Sequence, residues 1–325
     1  MDKSQSHSDL EHLFEQRIQP NISELVGLRD KVKSMWYIGV SLVLLIVLSI
    51  WGLAESGGAV LIILLVALII GLVVVISKGY SAWKKYRTEF KLKVVAEIVK
   101  VINPAWSYAP DGLISEQVYH QSNLFRTRYD RYQGDDLVKG VLDKTDFECS
   151  ELHTQYKEVT TDSKGRRRER WVTIFRGLFF HADFNKDFIG RTYVSPDVAE
   201  RLLGRLGRKL QKVSGPAPLV VLENVEFEKA FVVLATDPIE ARYILTPVIM
   251  EAMLNIRRIY NCEVHFSFIG SRVYCGLSMN KNLFEPRLFG PVVNLHDVAN
   301  MHHLFRVNET IIHELNLNTR IWTKN

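Results

Sequence analysis

Residues 36–53, WYIGVSLVLLIVLSIWGL, and residues 59–77, AVLIILLVALIIGLVVVIS, decide how this chain is organised. Each run approaches the ~20 apolar residues with which a helix crosses a ~30 Å hydrocarbon core. Glu55 is the only charge between Met35 and Ser77. In lipid no water satisfies a backbone amide, so both runs are expected as helices. The intervening AESGG is too short for anything but an antiparallel pair. A buried hairpin in a soluble core is the competing reading, and two adjacent runs of this length without an internal charge argue against it.

The flanks orient the pair. Arg29, Lys31 and Lys33 precede the first run, and Lys78, Lys84, Lys85, Arg87, Lys91 and Lys93 follow the second, whereas the turn holds no Lys or Arg. By the positive-inside rule both termini are cytoplasmic and only the turn faces out. Trp36, Tyr37 and Trp51 sit where an interfacial aromatic belt belongs. A cleaved signal peptide is disfavoured, because a long polar leader precedes the first run and no A-x-A site follows it. The runs carry no interior ionisable group, which disfavours a pump or carrier and leaves an anchor as the simplest role. Ala67 and Gly71 form a small-xxx-small pair of the kind that lets membrane helices approach closely.

The net charge of +5 is local. Its excess lies in residues 78–102, so the protein is not a globally basic one seeking nucleic acid. In that stretch Trp83, Tyr86, Phe90, Val94, Ile98 and Val101 recur at three- and four-residue steps, the pattern of an amphipathic helix whose other face carries lysines. Asn103-Pro104 ends it. The leader holds two helix starts, Ser8 with Glu11 and Asn21 with Glu24, separated by Pro20. Leu10, Leu13, Phe14 and Ile18 share one face there, and Ile22, Leu25 and Val26 another. Four segments result: a leader over 1–34, the transmembrane hairpin over 35–77, a basic juxtamembrane helix over 78–104 and a cytosolic domain over 105–325.

That domain mixes both periodicities. Ser195-Pro196, Asp237-Pro238 and Thr246-Pro247 each read as a capping residue followed by proline at the first helical position. Glu240 completes a capping box with Asp237. VEFEKAFVV (225–233) alternates as a strand, and EVHFSFIGSRVYCGLSM (263–279) as a hairpin turning at Gly270-Ser271. A second hairpin joins TDFECSELHTQYKEV to RRERWVTIFRGLFFHADF through TTDSKG. The fold class is α+β: a transmembrane helical hairpin, then a domain with a largely antiparallel sheet.

FHADFNKDF (180–188) places Asp183, Asn185 and Asp187 at alternate positions, as an EF-hand loop begins. From Asp183 the turn glycine and the bidentate glutamate of such a loop fall on Phe188 and Val194, so the match fails. The alternative is a strand with Phe180, Ala182 and Phe184 inward and His181, Asp183 and Asn185 outward. His296, Asp297, His302, His303 and His313 crowd the end without a zinc spacing. Cys149, Cys262 and Cys275 are scattered and read as buried thiols in a reducing compartment. No Walker, GxGxxG or GxSxG motif is present, and no cofactor is implied.

The basic residues Lys84, Lys85, Arg87, Lys91 and Lys93, with Arg166, Arg167 and Arg168 at the KGRRRER hairpin tip (164–170), are the candidates for an anionic surface such as lipid headgroups. No aromatic platform accompanies the tip, which disfavours nucleic acid.

Three blocks, YDRYQGDDLVKG (129–140), FRGLFFHADFNKDFIGRTYV (175–194) and EFEKAFVVLATDPIEARYILTPVIMEAM (226–253), resemble a bacterial family known only as the domain of unknown function numbered 3137. The resemblance runs nearly the whole chain, to the terminal helix ETIIHELNLNTRIW (309–322). It implies a bacterial inner-membrane protein and brings no activity, cofactor or catalytic residue. The expectation is a non-enzymatic, membrane-anchored module binding an anionic lipid or a protein partner. The alternatives are an enzyme using the His181–Asp187 strand and the terminal histidines, or an oligomeric lipid-handling or pore component.

Overall fold

In the computed structural model residues 10–56, 58–161, 166–184, 186–197, 217–315 and 317 are described. They fall into two compact units, Met1–Val101 with Phe284–His302, and Ile102–Leu283 with His303–Asn325.

In the first unit one continuous helix runs from Leu10 to Glu55 and a second from Ala59 to Ile102. The main α-helical segments are α1 (Gln19–Ser56), α2 (Ala59–Phe90) and α3 (Ala96–Ile102). Pro20 therefore does not split the leader as the sequence suggested. Its missing N–H and its ring would break the regular ladder. A π-helical segment, Phe14–Ile18, absorbs the disturbance just before it, and Asn21 Nδ2 donates to the Arg17 carbonyl at 2.9 Å. Asn21 is thus an interior residue rather than a cap, and Ser8 lies outside the described residues.

The α1 and α2 helices pack along each other through glycines. A Cβ on Gly79 would lie 3.5 Å from Met35, one on Gly52 3.7 Å from Leu61, and one on Gly39 3.9 Å from Val75. Gly71, singled out with Ala67, has nothing within 4 Å, so that pair is not where these helices meet. Ser41 and Ser49 bond back to the Tyr37 and Leu45 carbonyls, which leaves neither hydroxyl unsatisfied in an apolar surrounding.

In the second unit a nine-stranded sheet runs β1 (Ser107–Ala109), β2 (Arg131–Leu142), β3 (Thr145–Thr161), β4 (Arg167–Asp183), β9 (Arg272–Ser278), β8 (Glu263–Ile269), β5 (Arg191–Pro196), β7 (Phe231–Ala235), β6 (Leu219–Val220). Every neighbouring pair is antiparallel. The long β3–β4 hairpin and the β8–β9 hairpin stand where the sequence put them. Gly270, at φ +63°, opens the second turn, where an L side chain would be strained.

One face of the sheet carries Leu152, Phe175, Phe179 and Tyr274, packed with Ile114 and Tyr119 of the segment holding α4 (Glu116–Ser122). The other buries Phe147, Phe180, Ala182 and Cys275. Helix α7 (Pro247–Tyr260) packs against β8, and α9 (Val307–Glu314) against β3. Burial on both faces overturns the expectation of a wet side for His181, which is only 5% exposed. Adjacent Phe179 and Phe180 already require two covered faces. Burial raises the thiols of Cys149 and Cys262, to about 12 and about 11, and of Cys275 as well, so all three stay protonated.

Three local expectations are corrected. Residues 225–230 form a helix, α5 (Val225–Ala230), capped by Asn224 Oδ1 on the Phe227 amide at 2.9 Å. Phe227 and Phe231 fit an alternation but are also four apart, and their ring centroids lie 5.0 Å from each other across the helix end. Ser195 and Pro196 close β5 rather than opening a helix, and the stripe expected beyond them lies outside the described residues. Asp237 and Thr246 cap α6 (Pro238–Ile244) and α7 as expected. Glu240, however, turns away from the cap and accepts from the amides of Ile189 and Gly190 at 3.0 and 2.7 Å.

Gly177, at φ +152°, lies where a Cβ would meet the Leu277 carbonyl at 1.9 Å, next to a register pair between β4 and β9. Gly177→Ala is expected to lower stability by about 3 kcal/mol or more. Gly270→Asn keeps a side chain that tolerates positive φ and should cost under about 1 kcal/mol. Denaturant unfolding of both variants checks the contrast.

Candidate functional site

At the foot of the α1–α2 hairpin, within the first unit, a segment from the far end of the chain lies against both helices. Phe284 is fully buried, and Glu285 accepts from Arg87 Nε at 2.8 Å while standing 3.4 Å from Lys91 Nζ. Tyr86 donates its hydroxyl to the Arg287 carbonyl at 3.0 Å, and Arg29 donates to the Gly290 carbonyl at 2.6 Å. Burial pushes the Tyr86 phenol up to about 12, so it stays a donor. Asn294 and Asp297 bond each other's amides at 2.8 and 3.2 Å and open α8 (Leu295–Phe305). Asp297 also holds Arg287 at 2.5 Å.

The sequence-selected cations divide on this geometry. Lys84 and Lys85 are exposed on α2. Arg87 is engaged with Glu285, and Lys93 with Glu24 and Glu89; those hydrogen-bonded carboxylates raise the Lys93 ammonium pKa. Lys91 is 1% exposed. It opens a second π-helical segment, Lys91–Val95, and shares its buried face with Val94 and Val95, three and four positions on.

At the other candidate, Arg167 pairs with Glu169 at 3.4 Å and Arg170 with Glu158. Arg168 is exposed on β4, and Arg166 stands just before the strand.

Above the basic foot the aromatic residues gather. Phe289 packs edge-on to Trp36 with centroids 5.5 Å apart, and Trp36 to Tyr37 at 5.2 Å. All three are about half exposed. Phe289 was invisible in the sequence, because only the fold returns its segment to the hairpin.

The residues of the enzymatic alternative form a different arrangement. Lys139 reaches Glu148 at 2.8 Å, Glu148 stands 3.5 Å from His181 Nε2, and Arg272 donates to His181 Nδ1 at 2.9 Å and to Asp146 at 2.8 Å. Since arginine only donates, Nδ1 accepts and the ring proton sits on Nε2, facing Glu148. The His181 ring pulls the Glu148 carboxyl down to about 2 against the opposing effect of burial, with Lys139 adding to the pull. Of the terminal histidines, His303 stacks on Tyr260 at 5.0 Å, and His296 and His313 are exposed. The FHADFNKDF stretch braces the β8–β9 turn: the amides of Phe184 and Phe188 donate to the Ser271 and Gly270 carbonyls at 2.9 and 2.6 Å.

Two long apolar helices joined to an antiparallel α+β sheet thus define the class of the molecule. Residues 173–317, from β4 through α9, match the family described as "Protein of unknown function (DUF3137)". No curated protein and no solved structure matches the chain.

Two outcomes test this geometry. Glu285→Gln removes the charge that Arg87 and Lys91 share and is expected to cost about 3 kcal/mol, part of it recovered in Lys91→Met/Glu285→Gln; a double-mutant unfolding cycle measures both. For Glu148, whose folded pKa is depressed, the stabilisation is full above the ordinary value of 4.5 and is lost as pH falls towards about 2. Glu148→Gln should flatten that limb of the stability–pH curve and leave the neutral limb in place.

Proposed function

We propose that the protein is an inner-membrane module in which the two apolar helices anchor an α+β domain at the cytoplasmic face, where it engages anionic lipid or a protein partner. One observation carries this reading: the helices leave their apolar side chains uncovered. Leu44 is 60% exposed, Ile63 71% and Val60 78%, in runs long enough to span a bilayer. Burying such side chains is worth ~25 cal/mol per Å². No water-soluble arrangement forgoes that gain over two whole helices, whereas lipid supplies it.

The termini of the hairpin lie on the cytoplasmic side, since Lys and Arg flank both runs at that end and none stands in the turn. Trp36, Tyr37 and Phe289 then sit at headgroup depth, where aromatic rings concentrate. Lys84 and Lys85 are the cations of this collar turned to the lipid, while Arg87, Lys91 and Lys93 fix the protein to itself. Arg168, exposed beyond the pairs of Arg167 and Arg170, is the corresponding contact on the hairpin arm.

The expected result is a chain that resists alkaline carbonate extraction and carries a C-terminal reporter active only in the cytoplasm. Release into the soluble fraction, or a reporter active only outside, sinks the reading. Lys84→Gln/Lys85→Gln is expected to lower the anionic lipid retained through detergent purification roughly fivefold per charge, at ~1 kcal/mol each near the surface.

A further inference from the structure

A cleft of about 510 Å³ opens in the second unit beside the β8–β9 turn. That is the volume of an ordinary small-molecule site. Its walls come from three elements: His120 and Asn123 from α4 and its cap, Arg191 from the start of β5, and Arg272 and Tyr274 from β9.

The polar groups are prepared in different ways. Arg191 belongs to a strand paired on both sides, and its amide donates to Thr236 Oγ1 at 2.8 Å, so its backbone is rigidly placed. Its guanidinium has no partner among the described residues. By contrast, Arg272 is held by His181 and Asp146, Arg176 by Asn282, and Arg257 by the Ala230 carbonyl. His120 is oriented by a short relay. The Tyr129 hydroxyl donates to Glu116 at 2.8 Å and lies 2.8 Å from His120 Nε2. The phenol has one proton and spends it on Glu116, so Nε2 donates to Tyr129 and Nδ1 is left as an acceptor for a ligand hydroxyl. Asn123 gives its amide N–H to the Tyr193 hydroxyl at 2.8 Å, which fixes the side chain and frees Oδ1 as an acceptor.

We infer that this cleft binds a phosphate monoester, with Arg191 as its main clamp, Arg272 beside it, and His120 Nδ1 and Asn123 Oδ1 accepting from hydroxyls of the esterified alcohol. A free guanidinium fork matches two oxygens of a phosphate at once. The further oxygens of a monoester require additional donors from another direction, and a carboxylate, with two oxygens, would leave the second guanidinium unused. Asp146 and Glu116 neutralise part of the local charge, which favours a small ligand met at close range over diffuse attraction to a polyanion. The ester is either a soluble metabolite or phosphatidic acid, which presents the same phosphate to Arg191 but no hydroxyl to Asn123.

The test titrates glycerol 3-phosphate and inorganic phosphate into the purified full-length chain by calorimetry, in nanodiscs of phosphatidylcholine with and without phosphatidic acid. Saturable binding of glycerol 3-phosphate is expected, weakened about tenfold in Arg191→Ala, as loss of a charge-assisted bond requires. The unliganded melting temperature should stay unchanged, and Lys84→Gln/Lys85→Gln should bind like wild type. Should Arg191→Ala not fold, Arg191→Lys keeps the charge without the fork and must still bind more weakly. Binding that phosphatidic acid in the disc does not reduce identifies a soluble ligand; competition by it identifies the lipid headgroup. Absence of saturable binding, wild-type affinity in the Arg191 variants, or loss only in the Lys84/Lys85 variant overturns the inference; the last outcome would place the ligand at the collar of the proposed anchor instead.

Discussion

An apolar side chain on a long helix must be covered by something, and within this chain the side chains of residues 36–53 and 59–77 are left largely uncovered. The rest of the first unit follows from that constraint. Glycines at 39, 52 and 79 bring the two helices together without bulk at the contact. Serine hydroxyls bond back to their own helix, so neither is left unsatisfied among apolar side chains. Charges begin only where the apolar runs stop.

Below that line the charges do two kinds of work. A lysine buried to 1% is costly unless a carboxylate stands beside it, and Glu285 meets Lys91 and Arg87 together. The segment Phe284–His302 consequently groups with helices that precede it by some two hundred positions, where the sequence reading drew one domain from 105 to the end. The basic stretch read as a single anionic-surface patch separates into cations committed to internal pairs and cations, Lys84 and Lys85, left on the surface. Positive charge beside apolar helices is therefore a poor count of free cations until the internal pairs are removed from it.

What the sequence disclosed depended on the range of the interactions involved. The helical hairpin, the β8–β9 turn at Gly270 and the caps at Asp237 and Thr246 rest on neighbours within a few residues, and all three stand in the structure. Errors arose where two short patterns coincide. Phe227 and Phe231 satisfy alternation and helical spacing alike, and only the Asn224 cap decides between them. Pro196 after Ser195 imitates a helix start, yet the same proline ends strand β5, where it pairs with Phe231 of β7. Pro20 imitates a break because a π-helical turn is invisible to a 3.6-residue template. The candidate sites were the least legible part. Phe289 meets Trp36, and Arg191 faces His120 across a cleft, only after long-range folding.

Among the polar groups of the sheet, burial and internal contacts separate support from function. Arg272 donates to His181 Nδ1, Glu148 stands 3.5 Å from Nε2, and both flanks of the residue are buried, so the ring sits between β3, β4 and β9 without access to a ligand. Its stretch of sequence likewise bonds internally, tying the amides of Phe184 and Phe188 to the neighbouring turn. Arg191 is the opposite case. Its backbone is fixed from both sides while its side chain is left without a partner among the described residues, beside an imidazole and an amide that are each oriented from behind. The pairing of its backbone stabilises β5, whereas its head adds no bond to the fold among the described residues. An anion would give that head a partner, and that is the physical ground for reading the cleft, rather than the histidine row, as the place where this domain meets a ligand.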